Sequence, residues 1–75
     1  MKAQEQLGMR IKFLRKQRHW SQEDLAFNAN VNKNYLCDLE AGRRNPSLVI
    51  LERIANAFSI SLEELFRGVE TIPGI

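Results

Sequence analysis

QEDLAFNANVNKNYLCDLEA, residues 22–41, reads as two short helices joined by a tight turn, and the rest of the chain is arranged around them. Ser21 stands just before this stretch and Asp24 three residues later, so the hydroxyl can accept a free backbone N–H while the carboxylate faces the positive helix end. A helix therefore starts at about Ser21. Trp20 and Leu25 stand at the spacing of a hydrophobic staple across that start. Leu25, Ala26 and Ala29 form the inward face, and Asn30, which tolerates a left-handed backbone, turns the chain. Asn32 then caps a second helix, Leu36 and Leu39 give it an apolar edge, and Gly42 ends it. With those two leucines inward, about 100° per residue puts Asn34, Cys37, Asp38 and Ala41 on the opposite face and Lys33 at its rim. A short helix with a polar outer face suits insertion into a groove.

Upstream, Leu7, Ile11 and Leu14 define the buried stripe of a first helix from roughly Gln4 to Arg18, slightly weakened by Gly8. Met9 and Phe13 fall on its flank, where they cover the edge of the core or meet the C-terminal tail or a partner. His19 and Trp20 connect it to the next helix. Downstream, the loop Gly42-Arg43-Arg44-Asn45-Pro46 holds two adjacent cations between turn residues. Ser47 caps a fourth helix with Leu51, Ile54, Ala55 and Phe58 as its stripe, widened by Ile50 and Ala57, while Val49 projects away. Ser61 and Glu64 make a second capping box, with Ile60 and Leu65 at staple spacing, so a short fifth helix runs to about Phe66 and Gly68 ends it. Val69 to Ile75, with Pro73 and Gly74, reads as a loose tail. The expectation is an all-α, five-helix fold: one domain over residues 1–75, with its core at about 4–67 and a tail at 68–75.

Seventy-five residues leave room for one domain. A chain of this size buries only about 60% of its unfolded surface, so an oligomer would help it. The 44% hydrophobic content and regular apolar spacing argue against disorder. One cysteine cannot form an intrachain disulfide, no leader is visible, and no apolar run is long enough to span a membrane, which points to the cytoplasm. Net charge is only +2, but its distribution is uneven. Lys2, Arg10, Lys12, Arg15, Lys16 and Arg18 face Glu5 alone at one end, while Arg67 faces Glu63, Glu64 and Glu70 at the other. That fits a polyanion-facing side and a solvent- or partner-facing side, or a plain solvated surface.

No enzyme constellation is present: there is no phosphate-cradling glycine loop or metal-ligand cluster, and the single His19 and Cys37 are far apart. The adjacent Glu63 and Glu64 sit in a first helical turn, where the dipole favours acids. Cys37 reads as a small packing residue, or as a redox thiol if it lies near Lys33. The reading is therefore a non-enzyme without cofactor or metal. Double-stranded DNA is the partner that gives the remaining features one use. Asn32, Lys33 and Asn34 supply donors and acceptors near a helix N-terminus. Lys33 can donate to guanine O6 or N7, and Asn34 can bond adenine N6 and N7 together. Asp38, one turn on, can accept from cytosine N4; otherwise it is a solvated carboxylate repelled by DNA, or it orients Lys33 or Asn34. Tyr35 either reaches a phosphate with its hydroxyl or packs partly into the core. Arg43 and Arg44 sit where phosphates would pass.

The same stretch, with Leu25, Ala26, Ala29, Asn30, Val31, Leu36 and Leu39 at their positions, resembles the helix-turn-helix of phage repressor and Cro-type transcription regulators, the xenobiotic response element-like family. The likeness runs from about Leu7 to Phe66 and takes in LGMRIKFLRKQRHWSQEDLA, LEAGRRNPS and LERIANAF. Asn30 stands where the family usually has glycine. The resemblance implies a repressor-like fold and three assignments that spacing does not give. Gln22 would contact a phosphate with its side chain and peptide N–H, a helix N-terminus binding an anion. Arg43, Arg44 and Asn45 would contact phosphates too. Arg15 and Glu40 would form an interior ion pair joining the first and third helices, which removes Arg15 from the DNA contacts. It further implies a sequence-specific regulator of bacterial or phage origin, bound as a homodimer to pseudo-palindromic operators with half-sites about 34 Å apart. Val49, Leu62, Phe66 and Ile72 are candidates for the dimer surface. Within the family the chain could be a repressor or activator of a mobile element, a restriction-modification controller, or an antitoxin with a toxin as partner. The competing reading is a protein-interaction module that keeps the fold without DNA, with Asp38 repelling phosphates.

Overall fold

The computed structural model describes residues 2–69 as five helices: α1 (Ala3–Gln17), α2 (Gln22–Ala29), α3 (Lys33–Glu40), α4 (Leu48–Ala57) and α5 (Leu62–Leu65). Four of them begin at a short polar side chain that closes the open N–H groups of the first turn. Ser21 Oγ accepts from the Asp24 N–H at 3.0 Å, and Asp24 Oδ2 accepts from the Ser21 N–H at 2.8 Å. Asn32 Oδ1 accepts from Asn34 and Tyr35, Ser47 Oγ from Ile50, and Ser61 Oγ from Glu64. Losing such a cap costs about 1 kcal/mol. The second capping box is only half formed, because the Glu64 carboxylate turns to Arg67 at 3.2 Å and Arg10 at 3.6 Å.

The helix ends share one device. After α1, α2 and α4 a residue takes the left-handed conformation: His19 (φ 58°), Asn30 (φ 56°) and Ser59 (φ 59°). The next N–H then reaches back to a carbonyl five residues earlier, Trp20 to Arg15, Val31 to Ala26 and Ile60 to Ala55. Trp20, Val31 and Ile60 lay their apolar bodies on the core. Trp20, placed by spacing over Leu25, stacks on Phe58 with ring centroids 5.8 Å apart. Only Asn30 announced its conformation in the sequence; His19 and Ser59 hold it at a cost of about 1–2 kcal/mol each.

The core is the sum of the predicted stripes: Leu7, Ile11 and Leu14 from α1, Leu25, Ala26 and Ala29 from α2, Leu36 and Leu39 from α3, Leu51, Ile54 and Ala55 from α4, then Phe58 and Leu65. α3 is held between α1 and α2, α2 also packs on α4, and α5 closes onto α4. Gly8 does more than weaken α1. A Cβ there would stand 2.5 Å from the Leu39 carbonyl oxygen and 2.6 Å from that of Glu40, so glycine lets α1 lie directly against the last turn of α3.

Three expectations about the periphery change. Met9 and Phe13 are 56% and 53% exposed, so they do not cover the edge of the core. Val69, at the start of the expected tail, is buried at 8% exposure, while Ile72 and the rest of that tail lie outside the described residues. The basic N-terminal end is in part a structural tie. Arg10 donates to the Glu64 carbonyl at 2.9 Å, and Arg18 donates to the Phe58 carbonyl at 2.8 Å with its guanidinium 4.6 Å above the Phe58 ring. Both cations thereby close carbonyls at the C-terminal ends of α5 and α4, where the helix dipole favours positive charge.

Candidate nucleic-acid interface

α3 carries the polar outer face and is fixed at both ends. Leu36 and Leu39 have no exposed surface and set which side of the helix looks outward. At the C-terminal end the Glu40 carboxylate takes two hydrogen bonds from Arg15, Nε to Oε2 at 2.8 Å and Nη2 to Oε1 at 3.0 Å. The side chains are 3% and 10% exposed. Arg15 also donates to the Trp20 carbonyl at 2.8 Å, and Gln22 Nε2 donates to Glu40 Oε1 at 3.1 Å. The hydrogen bond to Glu40 holds the Arg15 guanidinium above its ordinary pKa, against the opposing effect of burial and with the nearby negative charge adding to it. The arrangement ties α1, the start of α2 and the end of α3 at one point.

This geometry alters the part given to Gln22. Its side-chain amide is turned inward to Glu40, whose Oε1 already accepts from Arg15 Nη2 and has a further lone pair to fill in its buried position. The outward contribution left to Gln22 is its peptide N–H in the open first turn of α2, ahead of the Leu25 N–H that makes the first helical bond to Ser21.

At the N-terminal end, Asn32, Lys33 and Asn34 are all exposed. Asn32 has committed its carbonyl oxygen to capping, which leaves its amide NH2 as the group to offer. Lys33 Nζ lies 3.8 Å from Glu23 Oε1 on α2, a partner the sequence did not suggest because the turn between the helices brings it there. Among the described residues the Asn34 side chain has no hydrogen-bond partner. Cys37 is exposed rather than packed.

Asp38, Tyr35, Arg43 and Arg44 come together as one cluster. α3 ends through Gly42 (φ 79°) with the Arg43 N–H bonded back to the Asp38 carbonyl at 2.9 Å. This is the ending used elsewhere in the fold, except that the residue after the turn is an arginine and not an apolar one. Its side chain therefore reaches Asp38, Nη1 to Oδ1 at 3.3 Å, while Arg44 Nη2 lies 3.7 Å from Oδ2. The Arg44 guanidinium sits 5.0 Å above the ring of Tyr35, which is half-buried against the core. Asp38 thus orients the two arginines and neither Lys33 nor Asn34. Asn45 stays exposed in the loop beside them.

Eight helical residues make α3 about 12 Å long, close to the width of the DNA major groove. Neutral and cationic donors at one end and arginines beyond the other are spaced to meet base edges and a flanking backbone. Three cations, Lys33, Arg43 and Arg44, face two carboxylates, Glu23 and Asp38, so the surface is basic only by a small margin.

Comparison with known proteins bears on this surface. The helix-turn-helix family profile matches residues 11–65, a span that holds α2, α3 and the arginine loop. The chain is 44% identical over 66 residues to an immunity repressor protein of Bacillus phage phi105, covering 88% of this chain and 45% of the repressor. It is 41% identical over 64 residues to the control protein C.MunI of a Mycoplasma species, covering 84% of this chain and 86% of that one. Among solved structures, the restriction-modification controller protein C.AhdI from Aeromonas hydrophila superposes with a TM-score of 0.80 at 39% identity, over 83% of this chain and 94% of the controller. The chain spans about half the length of the phage repressor and of a further curated regulator that it matches at 47% coverage.

Proposed function

This chain belongs to the helix-turn-helix family of phage repressor type, and from that premise we propose that it is a sequence-specific DNA-binding transcriptional regulator, reading a pseudo-palindromic operator through the major groove as a dimer. The observation that carries the reading is α3 itself: a helix clamped at its buried side, with exposed Lys33 and Asn34 at one end and Arg43 and Arg44 at the other. Lys33 donates to guanine, Asn34 pairs with adenine, and Asn32 adds its amide NH2. The Gln22 peptide N–H, Tyr35, Arg43, Arg44 and Asn45 hold phosphates and set the register. A single short helix reads few base pairs, so two copies on half-sites about 34 Å apart supply the specificity. Val49, exposed beside Leu48 at the start of α4, is available for that pairing, whereas Leu62 and Phe66 are half-buried in the chain's own body.

Selection from random duplex DNA at roughly physiological salt, followed by titration at several salt concentrations, tests this directly. An enriched inverted repeat with half-sites about one helical turn apart is the expected result. If no sequence enriches and binding does not respond to salt, the protein-interaction reading replaces it. The Asn34→Ala variant should lose about 1–3 kcal/mol on the selected site and relax one base position. Arg43→Ala should weaken all duplexes alike and flatten the salt dependence by about one unit. Equal effects of the two would contradict this division of roles.

Likeness to the restriction-modification controller protein C.AhdI, at 39% identity and a TM-score of 0.80, supports a restriction-modification controller as a finer reading. Absence of a restriction-modification operon beside the gene, or failure of the chain to change expression from that operon's promoter, would remove it.

A further inference from the structure

We propose that Asp38 determines specificity through the two arginines it holds, lowering affinity for DNA in general and recovering that loss where the base sequence presents an amino donor. The inference rests on the DNA-binding reading above.

A structural role explains Asp38 poorly. It sits in the last turn of α3, where negative charge opposes the helix dipole. Its partners Arg43 and Arg44 are 71% and 51% exposed, and such pairs add little to stability. What the cluster does alter is the state of the arginines. In the free protein both guanidiniums are turned to one carboxylate, at 3.3 and 3.7 Å, and Arg44 is further steadied over Tyr35 at 5.0 Å. A phosphate approaching these arginines competes for the same N–H donors and is repelled by the carboxylate between them. On an arbitrary sequence nothing relieves that repulsion. Asp38 lies one turn along α3 from the exposed Asn34, on the same face, so a cytosine N4 amino group in the groove can take over as its donor. The arginines meet the backbone on any sequence, but only at a matching site do they do so without the opposing charge of an unpartnered Asp38 carboxylate.

The test compares wild type, Asp38→Asn and Asp38→Ala on a mixed-sequence duplex and on the operator recovered by selection. Both neutral variants should bind the mixed-sequence duplex about three- to tenfold more tightly at about 0.1 M salt, with a salt dependence steeper by about one unit. Affinity for the operator should rise less or fall, so the ratio of specific to non-specific binding narrows. Asp38→Ala should also lose its preference at one base position. Combining Asp38→Asn with Arg43→Ala and Arg44→Ala should abolish the gain on mixed sequence, since the effect acts through those side chains. A gain that persists without the arginines overturns the proposal. So does unchanged binding of the mixed duplex by Asp38→Asn, while a wild type that still selects its operator leaves the DNA reading standing. A wild type that binds no duplex overturns both.

Discussion

The chain contains two carboxylate–arginine clusters at the end of the same helix, and they differ in almost everything but their chemistry. Glu40 and Arg15 are buried, bonded through two contacts at 2.8 and 3.0 Å, and joined by Gln22 and the Trp20 carbonyl so that the polar atoms have partners. Asp38, only two positions earlier, meets Arg43 and Arg44 at 3.3 and 3.7 Å in contact with solvent. Glu40 faces inward against α1, Asp38 outward on the side of the exposed Asn34. The first cluster cannot exchange partners without exposing a charge to the core. In the second the bonds are weak enough to be traded for those of a ligand. Burial, and not residue type, separates a pair fixed by the fold from one open to exchange.

The comparison breaks most visibly at Glu40. Glu40→Ala should destabilise the fold by about 3–5 kcal/mol in urea unfolding, because it leaves the Arg15 charge buried without its partner. Replacing both members together, Arg15→Met with Glu40→Leu, should recover much of that loss, and if the double variant is as unstable as the single one, the loss does not come from an orphaned charge. Gly8→Ala comes next. Its methyl group would press on the Leu39 and Glu40 carbonyls, and forced separation of α1 from α3 should cost about 1–3 kcal/mol in the same assay. Smallest is Asp38→Asn, which should shift stability by no more than about 0.5 kcal/mol in either direction. A loss as large as that of Glu40→Ala would show that the outer cluster is part of the framework. Salt sharpens the contrast further, since ions screen exposed pairs and leave buried ones nearly untouched. Wild type and Asp38→Asn should therefore converge in stability at about 1 M salt, while the deficit of Glu40→Ala persists.

Much of this fold can be read along the chain because its signals are local. Ser21, Asn32, Ser47 and Ser61 announce helix starts through bonds that reach only two or three residues. The apolar stripes of α1 through α4 are visible at helical spacing, and each faces the core. The ends of α1 and α4 were less legible, since Ser59 does not signal a left-handed turn and His19 signals it far less strongly than a glycine would. The site divides in the same way. That Lys33 and Asn34 face outward follows from Leu36 and Leu39 facing inward. That the Gln22 amide turns to Glu40, that Glu23 stands by Lys33, and that Asp38 gathers two arginines depend on where α2 and the loop come to rest against α3.

The sequence alone determined five helices, the N-caps of four of them and their inward faces, because each follows from hydrogen bonds and periodicity within a few residues, and through a resemblance it pointed to the family. Tertiary structure alone decided which charges are used up by the fold and which remain for a partner. Arg10 and Arg18, equal in sequence to any other surface cation, close the ends of α5 and α4, whereas Arg43 and Arg44 stay in solvent. The physical reason is that the strength of an ion pair depends on desolvation, and desolvation is set by packing between distant segments, which no local pattern encodes.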